Sequence, residues 1–412
     1  MLQEAEPGFS VPALFWKGFL MNNFEYYAPT KVVFGKGTEK ETGRLAKEFG
    51  ARKVLVHYGT GSVVRSGLLD RVCDSLKEQG LPYILLGGAQ PNPRLGLARE
   101  GIRICREEGV DFLLAVGGGS VLDSAKCIGY GAANEGDVWD FYCRKRKAEA
   151  CLPIGCVLTI AATGSEMSDS SVITNEDGMI KRGYSSDYGR CRFAVMNPEL
   201  TYTLPDWQTM SGCTDILMHT MERYFTKTPD TMLMDGMSEA LMRTVIQNAK
   251  ILHENPTDYD ARAQVMWAGS LAHNGLLGCG NETDWASHQL EHELSGMFDV
   301  THGAGLAAVW PSWARYVLSE KPARFAQFAV NVMGVTGDCT DPVKTALEGI
   351  REMERFFHEI GMPVNIHELG YDLTEDQIKE LAYKCSFFGT RTIGGFKVLD
   401  QEDMVRIYEA AR

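Results

Sequence analysis

The sequence predicts an α/β domain built on a parallel sheet, followed by an all-α domain. In the first half, short β-rich runs alternate with segments whose apolar residues recur at three- and four-residue spacing. After Pro205 the helical spacing continues with almost no β-branched runs. The length, 412 residues, suffices for two or three domains with cores of their own. The expected division is an N-terminal extension over 1–20, an α/β domain over 21–202 and a helical domain over 203–412.

Taken in order, the first twenty residues close on FSVPALFWKGFL, and strand-like alternation starts at Met21, which leaves residues 1–20 outside the expected fold. KVLVHYG, from Lys53, is a buried-strand run ended by glycine. The next segment, SVVRSGLLDRVCDSLKEQG, carries Val64, Leu68, Leu69, Val72 and Leu76 at helical spacing. PYILLGG and RLGLAREGIRICREEG repeat the unit, and DFLLAVGGGS is a third strand running into glycines. PIGCVLTIAAT and FAVMN extend the sheet to about residue 198. Units of this length imply right-handed crossovers and a sheet covered on both faces. QTMSGCTDILMHTMERYFT, MSEALMRTVIQNAKILHE and ARAQVMWAGSLAHNGLL open the helical half.

Composition excludes several classes of function. Lys and Arg total 41 against 54 Asp and Glu, a net charge of −13 that repels nucleic-acid backbones. The basic run Arg144-Lys145-Arg146-Lys147 reads as a solvated loop. With 44% hydrophobic and 23% charged residues the chain is neither disordered nor collagen-like. The 43 glycines exceed the roughly 7% expectation and point to backbone-rich ligand loops. Eleven cysteines, an odd number with no CxxC pair, read as free thiols of a reducing, cytoplasmic compartment. No apolar run approaches the roughly 18 residues of a membrane span, and the N-terminus lacks a basic region followed by an apolar block, so the expectation is a protein neither secreted nor membrane-embedded.

Two constellations carry chemistry. GGGSVLDSAK, Gly117 to Lys126, lies where a strand ends and a helix begins, and the free amides and positive dipole of that first turn suit a pyrophosphate. Without the GxGxxG spacing, a plain tight turn is the competing reading. Gly59-Thr60-Gly61-Ser62 follows an earlier strand, and both loops are expected to face one crevice. In the helical half, Asp215 and His219 stand four apart on one helix face, as do His288 and His292. His302 follows fourteen residues after His288, a rise of about 21 Å on a straight helix, so Gly296 and Gly303 are expected to turn the chain back. Three imidazoles and a carboxylate suit iron or zinc. His288-Gln289-Leu290-Glu291-His292 also matches the H-x-x-E-H zinc-peptidase pattern, with the glutamate as general base. His57, His253, His273, His358 and His367 lack partners at ligand spacing and read as surface or satisfied core residues.

On these residues the chain resembles the iron-containing alcohol dehydrogenase family, in its branch of NADPH-dependent butanol dehydrogenases and aldehyde reductases. The resemblance runs from Met21 to Arg412 through FGKG at Phe34, GGGSVLDSAK, the block from Pro153 to Glu166, NPELTYTLP at Asn197, DWASHQLEHELSG at Asp284 and the closing RIYEAAR. It implies a dinucleotide-binding α/β domain and a helical metal-binding domain, the dehydroquinate synthase-like arrangement, with the active site between them. It places metal ligands at Asp215, His219, His288 and His302, leaving His292 as a catalytic residue near the nicotinamide and disfavouring the peptidase. It places the pyrophosphate at Gly118, Gly119 and Ser120 with Asp123 nearby, and further cofactor contacts at Thr159, Thr163 and Lys181. Thr60 departs from the all-glycine loop of the branch. A homodimer is implied.

The expected function is hydride transfer from NAD(P)H to a short-chain aldehyde such as butanal, aided by Fe2+ or Zn2+. NADPH is favoured because His57-Tyr58-Gly59-Thr60-Gly61-Ser62 holds no acid to repel a 2′-phosphate, and Arg65 follows one helical turn on. A lyase or cyclising enzyme on the same scaffold would need added Lys and Arg in the metal cleft, and few are expected near the ligands.

Overall fold

The apolar strand residues of the first half are buried on both faces of one sheet, as parallel strands require. The computed structural model describes residues 21–229, 231–338 and 340–412. The extension expected over 1–20 lies outside the described residues. Six strands, β1 (Lys31–Phe34), β2 (Val54–Gly59), β3 (Tyr83–Ala89), β4 (Phe112–Gly117), β5 (Ile154–Leu158) and β8 (Phe193–Met196), lie in the order β1-β8-β5-β4-β2-β3. Every pair is parallel. Strand alternation sends Val54, Val56, Phe112, Leu114 and Val116 to one face, against Leu45 of α1 (Thr42–Glu48) and Val72 and Leu76 of α3 (Leu68–Glu78). Leu55, Leu113 and Ala115 face the other side, against α4 (Leu95–Glu108) and α5 (Gly119–Ala133).

Three local expectations fail. The helical segment expected from Ser62 to Gly80 is broken into α2 (Ser62–Arg65) and α3, because Gly67 takes a left-handed φ of 66° between them. The alternation from Met21 forms no strand before Lys31. An antiparallel hairpin, β6 (Ser170–Asn175) and β7 (Ile180–Ser185), was not expected. Its turn residues, Glu176-Asp177-Gly178-Met179, are a hairpin signal, but the polar flanks hide the strands.

After the short α6 (Trp139–Tyr142), the second half is helical: α7 (Asp206–Tyr224), α8 (Met232–Glu254), α9 (Tyr259–His273), α10 (Ala286–Phe298), α11 (His302–Val317), α12 (Pro322–Asn331), α13 (Pro342–Glu359), α14 (Glu375–Cys385) and α15 (Gln401–Ala411). They share one core that includes Met210, Leu217, Leu290, Leu306, Trp310 and Phe325. Every residue of α7 from Thr209 to Tyr224 is buried, and α7 is enclosed chiefly by α8, α9 and α11. Among the described residues no helix is long and apolar enough to cross a membrane, and the cysteines are free.

His57 is a satisfied core residue, as expected. Its Nδ1 donates to Leu86 O (2.9 Å) and its Nε2 accepts from Ser124 Oγ (2.9 Å), linking β2 to β3 and α5. Burial lowers its pKa from 6.5 to about 4. Between these values the unfolded chain binds a proton that the fold refuses, so the stability is complete above pH 6.5 and is lost as pH falls through 4. Urea unfolding is expected to show a loss of up to about 3 kcal/mol from this group across that window. His57→Gln removes that part of the pH dependence, and parallel curves for variant and wild type would refute the assignment.

Candidate active site

Strand order sets where a crevice forms. β3 lies on one side of β2 and β4 on the other, so the chain reverses direction between β2 and β4, where open parallel sheets receive ligands. Tyr58 pairs with Val116, so the loops Gly59–Ser62 and Gly117–Ser120 leave the sheet side by side. Gly119 opens α5, and a Cβ there would lie 2.4 Å from Thr163 Oγ1; one on Gly118 would lie 2.8 Å from Ile160. Glycine is thus required for the segment after β5 to close on this turn.

Gly119, Ser120, Asp123, Thr163 and Lys181 line a cleft of about 650 Å³; Gly59–Ser62, Gly118 and Thr159 are outside its lining. Asp123 accepts from Ser165 Oγ (2.7 Å) and Val172 N (2.9 Å), and burial raises its pKa. The buried Lys126 donates to Ser165 O (2.7 Å), Ser168 O (2.9 Å) and Ser170 O (2.7 Å). Two side chains one turn apart on α5 therefore hold the segment that carries Thr163 to Val172.

The same cleft is lined by Asp215, His219, His288, His292 and His302. Oxygen and nitrogen atoms of Asp215, His288 and His302 lie within 4.8 Å of one another. His219 falls outside that grouping, although its Nδ1 is 3.2 Å from Asp215 Oδ1 and its ring 4.6 Å from that of His288. Among the described residues, the buried atoms Asp215 Oδ1, His219 Nδ1 and His288 Nε2 find no hydrogen-bond partner. Buried polar atoms are rarely left so, and three converging lone-pair donors fit a divalent cation.

Two of the imidazoles, those of His288 and His302, are held from behind. His288 Nδ1 donates to Glu222 Oε1 (2.8 Å), whose carboxylate also accepts from His288 N (3.0 Å) and Trp285 N (2.6 Å). His302 Nδ1 donates to Glu291. Carboxylates behind ligating histidines fix their tautomer and orientation. Burial opposes a proton on His288, but the carboxylates of Asp215 and Glu222 outweigh it and raise its pKa to about 9 while no cation lies between the ring and Asp215; a cation bound there would replace that Nε2 proton. Burial also opposes charge on Glu291, and His302 and Lys181 overcome it, bringing it to about 2. His219 is pushed down by burial and His273, and His292 by burial and Lys181.

Several expectations are corrected. Gly296 and Gly303 do not turn the chain: both lie inside helices, and the reversal occurs at Asp299, whose φ is 56°. A second grouping of Glu291, His292 and His302 exists, but Glu291 is committed to His302, to Ser295 Oγ and to Lys181 Nζ at 3.5 Å. It is not free to activate water, so the peptidase reading fails. His273, expected as a surface or satisfied core residue, does bond Thr163 O (2.8 Å), but it also lines the cleft with its ring centroid 4.0 Å from that of His219. Nor are basic residues few, since Arg144, Lys181, Arg182, Arg223 and Arg391 all line the cleft. Glu222 was missed too, though its spacing from Asp215 and His219 completes an i, i+4, i+7 face. His273, at the end of α9, has no such local signal.

The iron-containing alcohol dehydrogenase model matches residues 29–198, and the model of that family's C-terminal part matches 209–412. The chain is 40% identical to NADH-dependent butanol dehydrogenase A of Clostridium acetobutylicum, over 94% of this chain and 99% of the relative. It is 36% identical to the NADPH-dependent aldehyde reductase YqhD of Escherichia coli, over 95% of this chain and all (100%) of that one. The crystal structure of NADH-dependent butanol dehydrogenase A from Thermotoga maritima superposes with a TM-score of 0.91 at 37% identity, covering 96% and 100% of the two chains. The chain belongs to the iron-containing alcohol dehydrogenase family and is an oxidoreductase.

The close approach of α11 to α7 places His302 beside Asp215. A Cβ on Gly303 would lie 1.9 Å from Ser211 O, a backbone atom that cannot swing away. Gly303→Ala is expected to cost about 1–3 kcal/mol. Gly236→Ala, at an exposed position of α8 with nothing within 4 Å, is expected to add about 0.4–1 kcal/mol. A Gly303→Ala protein melting at or above the wild-type temperature would refute the contact.

Proposed function

We propose that this chain, on the strength of its family and its cleft, reduces short-chain aldehydes such as butanal with NAD(P)H, and oxidises the alcohols in reverse. The observation that carries this reading is the set of unpartnered atoms on Asp215, His219 and His288 in the same cleft as the first turn of α5. Asp215, His219, His288 and His302 hold one divalent ion, iron or zinc. Such an ion supplies Lewis acidity toward a carbonyl oxygen, and reduced nicotinamide supplies hydride.

The chain's own groups do the rest. The free amides at Gly119 and Ser120 receive the pyrophosphate, with Gly118, Thr159, Thr163 and Lys181 as further cofactor contacts. Asp123, whose oxygens are committed to Ser165 and Val172, shapes that surface. His292, kept neutral by burial and Lys181, has one ring nitrogen to donate and one to accept, and relays the proton that the product alcohol requires. Its ring centroid is 5.6 Å from that of His302.

The same reading includes a division of the chain at 202/203, between β8 and α7, and a cytoplasmic homodimer. Free buried thiols support the compartment. Among the described residues β1 is an edge strand with one side unpaired and Phe34 exposed, which supports self-association.

Metal analysis tests the ligands. His302→Ala is expected to lose most bound metal and activity together, whereas His292→Ala keeps its metal and loses about 10²–10⁴-fold in kcat. Full metal content in His302→Ala, or metal loss in His292→Ala, would overturn the roles.

NADPH is the proposed preference. The guanidinium of Arg65 folds over the Gly59–Ser62 loop, 2.9 Å from where a side chain on Gly61 would begin, and no acid stands in that loop. The wild type is expected to show the higher kcat/KM with NADPH, and Gly59→Asp to shift the ratio toward NADH. A wild type that already favours NADH would show the preference to be wrong.

A further inference from the structure

One wall of the cleft carries more positive charge than reduction of a neutral aldehyde needs. Arg144, Arg182 and Arg391 converge on the ring of Phe387, their guanidinium carbons 5.4, 4.3 and 3.6 Å from its centroid. All four residues line the cleft. Arg182 is 6% exposed and pairs with Glu293, Nη1 to Oε1 at 2.6 Å. Among the described residues that is the one carboxylate within 4.0 Å of any of the three. Arg391 spends its Nε on Cys385 O (3.0 Å), and Arg144 comes from the basic run that reads as solvated loop. Its neighbours in that run are engaged elsewhere: Lys145 with Asp140 and Arg146 with Glu135 O. Phe387 is itself held at a φ of 49°, in the left-handed region that phenylalanine seldom adopts.

Three guanidiniums against one carboxylate leave two positive charges facing the cavity. Arg182 is buried, Arg391 half-buried and Arg144 exposed; like charges gathered there repel, and burial with Arg182 and Arg144 nearby brings the Arg391 pKa down to about 10. An anion in the cleft relieves that repulsion. The position is set by α10: Glu293 is five residues beyond His288, about 7.5 Å along the helix axis. A guanidinium presents a planar pair of donors that matches a carboxylate.

We propose that Arg144 and Arg391, on the platform of Phe387 and Arg182, form an anion subsite that selects short-chain aldehydes bearing a terminal carboxylate, with the aldehyde end toward Asp215 and His288. This substrate class rests on the aldehyde-reductase reading above. Arg144 and Arg391 are specificity residues here, touching the end of the substrate away from hydride transfer.

The test compares 4-oxobutanoate with butanal, which has the same number of carbons and no charge, using metal-loaded protein and each nicotinamide. The wild type is expected to favour 4-oxobutanoate at least tenfold in kcat/KM. Arg391→Gln and Arg144→Gln are each expected to lower that ratio at least tenfold, through KM for the acid. Arg146→Gln, in the same run but turned toward Phe141, leaves the ratio unchanged. Calorimetric titration with 4-hydroxybutanoate against butan-1-ol gives a readout independent of turnover, with the acid binding more tightly and Arg391→Gln abolishing the difference. Equal treatment of the two aldehydes by the wild type, or an unchanged ratio in both variants, would overturn the subsite. A rise in KM for the nucleotide instead of the aldehyde would assign the arginines to the cofactor and overturn it equally. Inactivity toward both aldehydes would count against the reductase reading alone, because the titration still decides the subsite.

Discussion

The buried carboxylate of Glu222 is the constraint on which the site depends. It projects from α7, the helix enclosed on all sides, and accepts hydrogen bonds from the backbone at Trp285 and His288 where α10 begins. A helix start leaves donors without partners, and an acid there satisfies them and complements the dipole. The same carboxylate takes Nδ1 of His288, so one group fixes both where α10 starts and which way its first histidine faces. Asp215, seven residues earlier on α7, then stands opposite His288 because the two helices are already tied.

α10 carries a second function along its length. Glu291 backs His302 and lies near Lys181, and Glu293 pairs with Arg182. Both cations come from β7, so a polar hairpin of the α/β half is anchored to a helix of the other half by buried charge pairs. Breaking either pair leaves a buried charge without compensation, which costs far more than the pair itself contributes. The cleft between the halves is therefore walled by ion pairs whose partners lie far apart in sequence. On the sheet side, Asp123 and Lys126 do the corresponding work, pinning the segment from Thr163 to Val172 against the first turn of α5.

Part of this was legible in one dimension because the relevant physics is local. A strand buried on both faces must be apolar throughout, so β2, β4, β5 and β8 announced themselves, and the glycine turn at Gly117–Gly119 followed from the strand–helix junction. Pairs four apart on a helix share a face whatever surrounds them, which made Asp215 with His219 and His288 with His292 visible. The hairpin β6–β7 was hidden because Lys181 and Arg182 of β7 meet carboxylates of α10 while only Ile173 and Tyr184 reach the apolar core, which removes the alternation on which detection rests. Gly296 and Gly303 were misjudged for a related reason: glycine serves close packing as readily as turning, and only the atoms opposite decide, Met179 O for one and Ser211 O for the other.

By itself the sequence determined the class of fold, the two glycine loops, the histidine set and the family, because spacing and motif order are properties of the chain alone. Tertiary structure decided which histidine backs onto which carboxylate, that Glu291 is spent on His302 and not on water, that His273 joins the cleft, and that Arg144 leaves its basic run to meet Arg182 and Arg391 over Phe387. Those outcomes depend on direction and distance between side chains up to about 250 positions apart, as Arg144 and Arg391 are. Periodicity reports the face a residue occupies on its own element; what stands across from that face is set only when the elements pack.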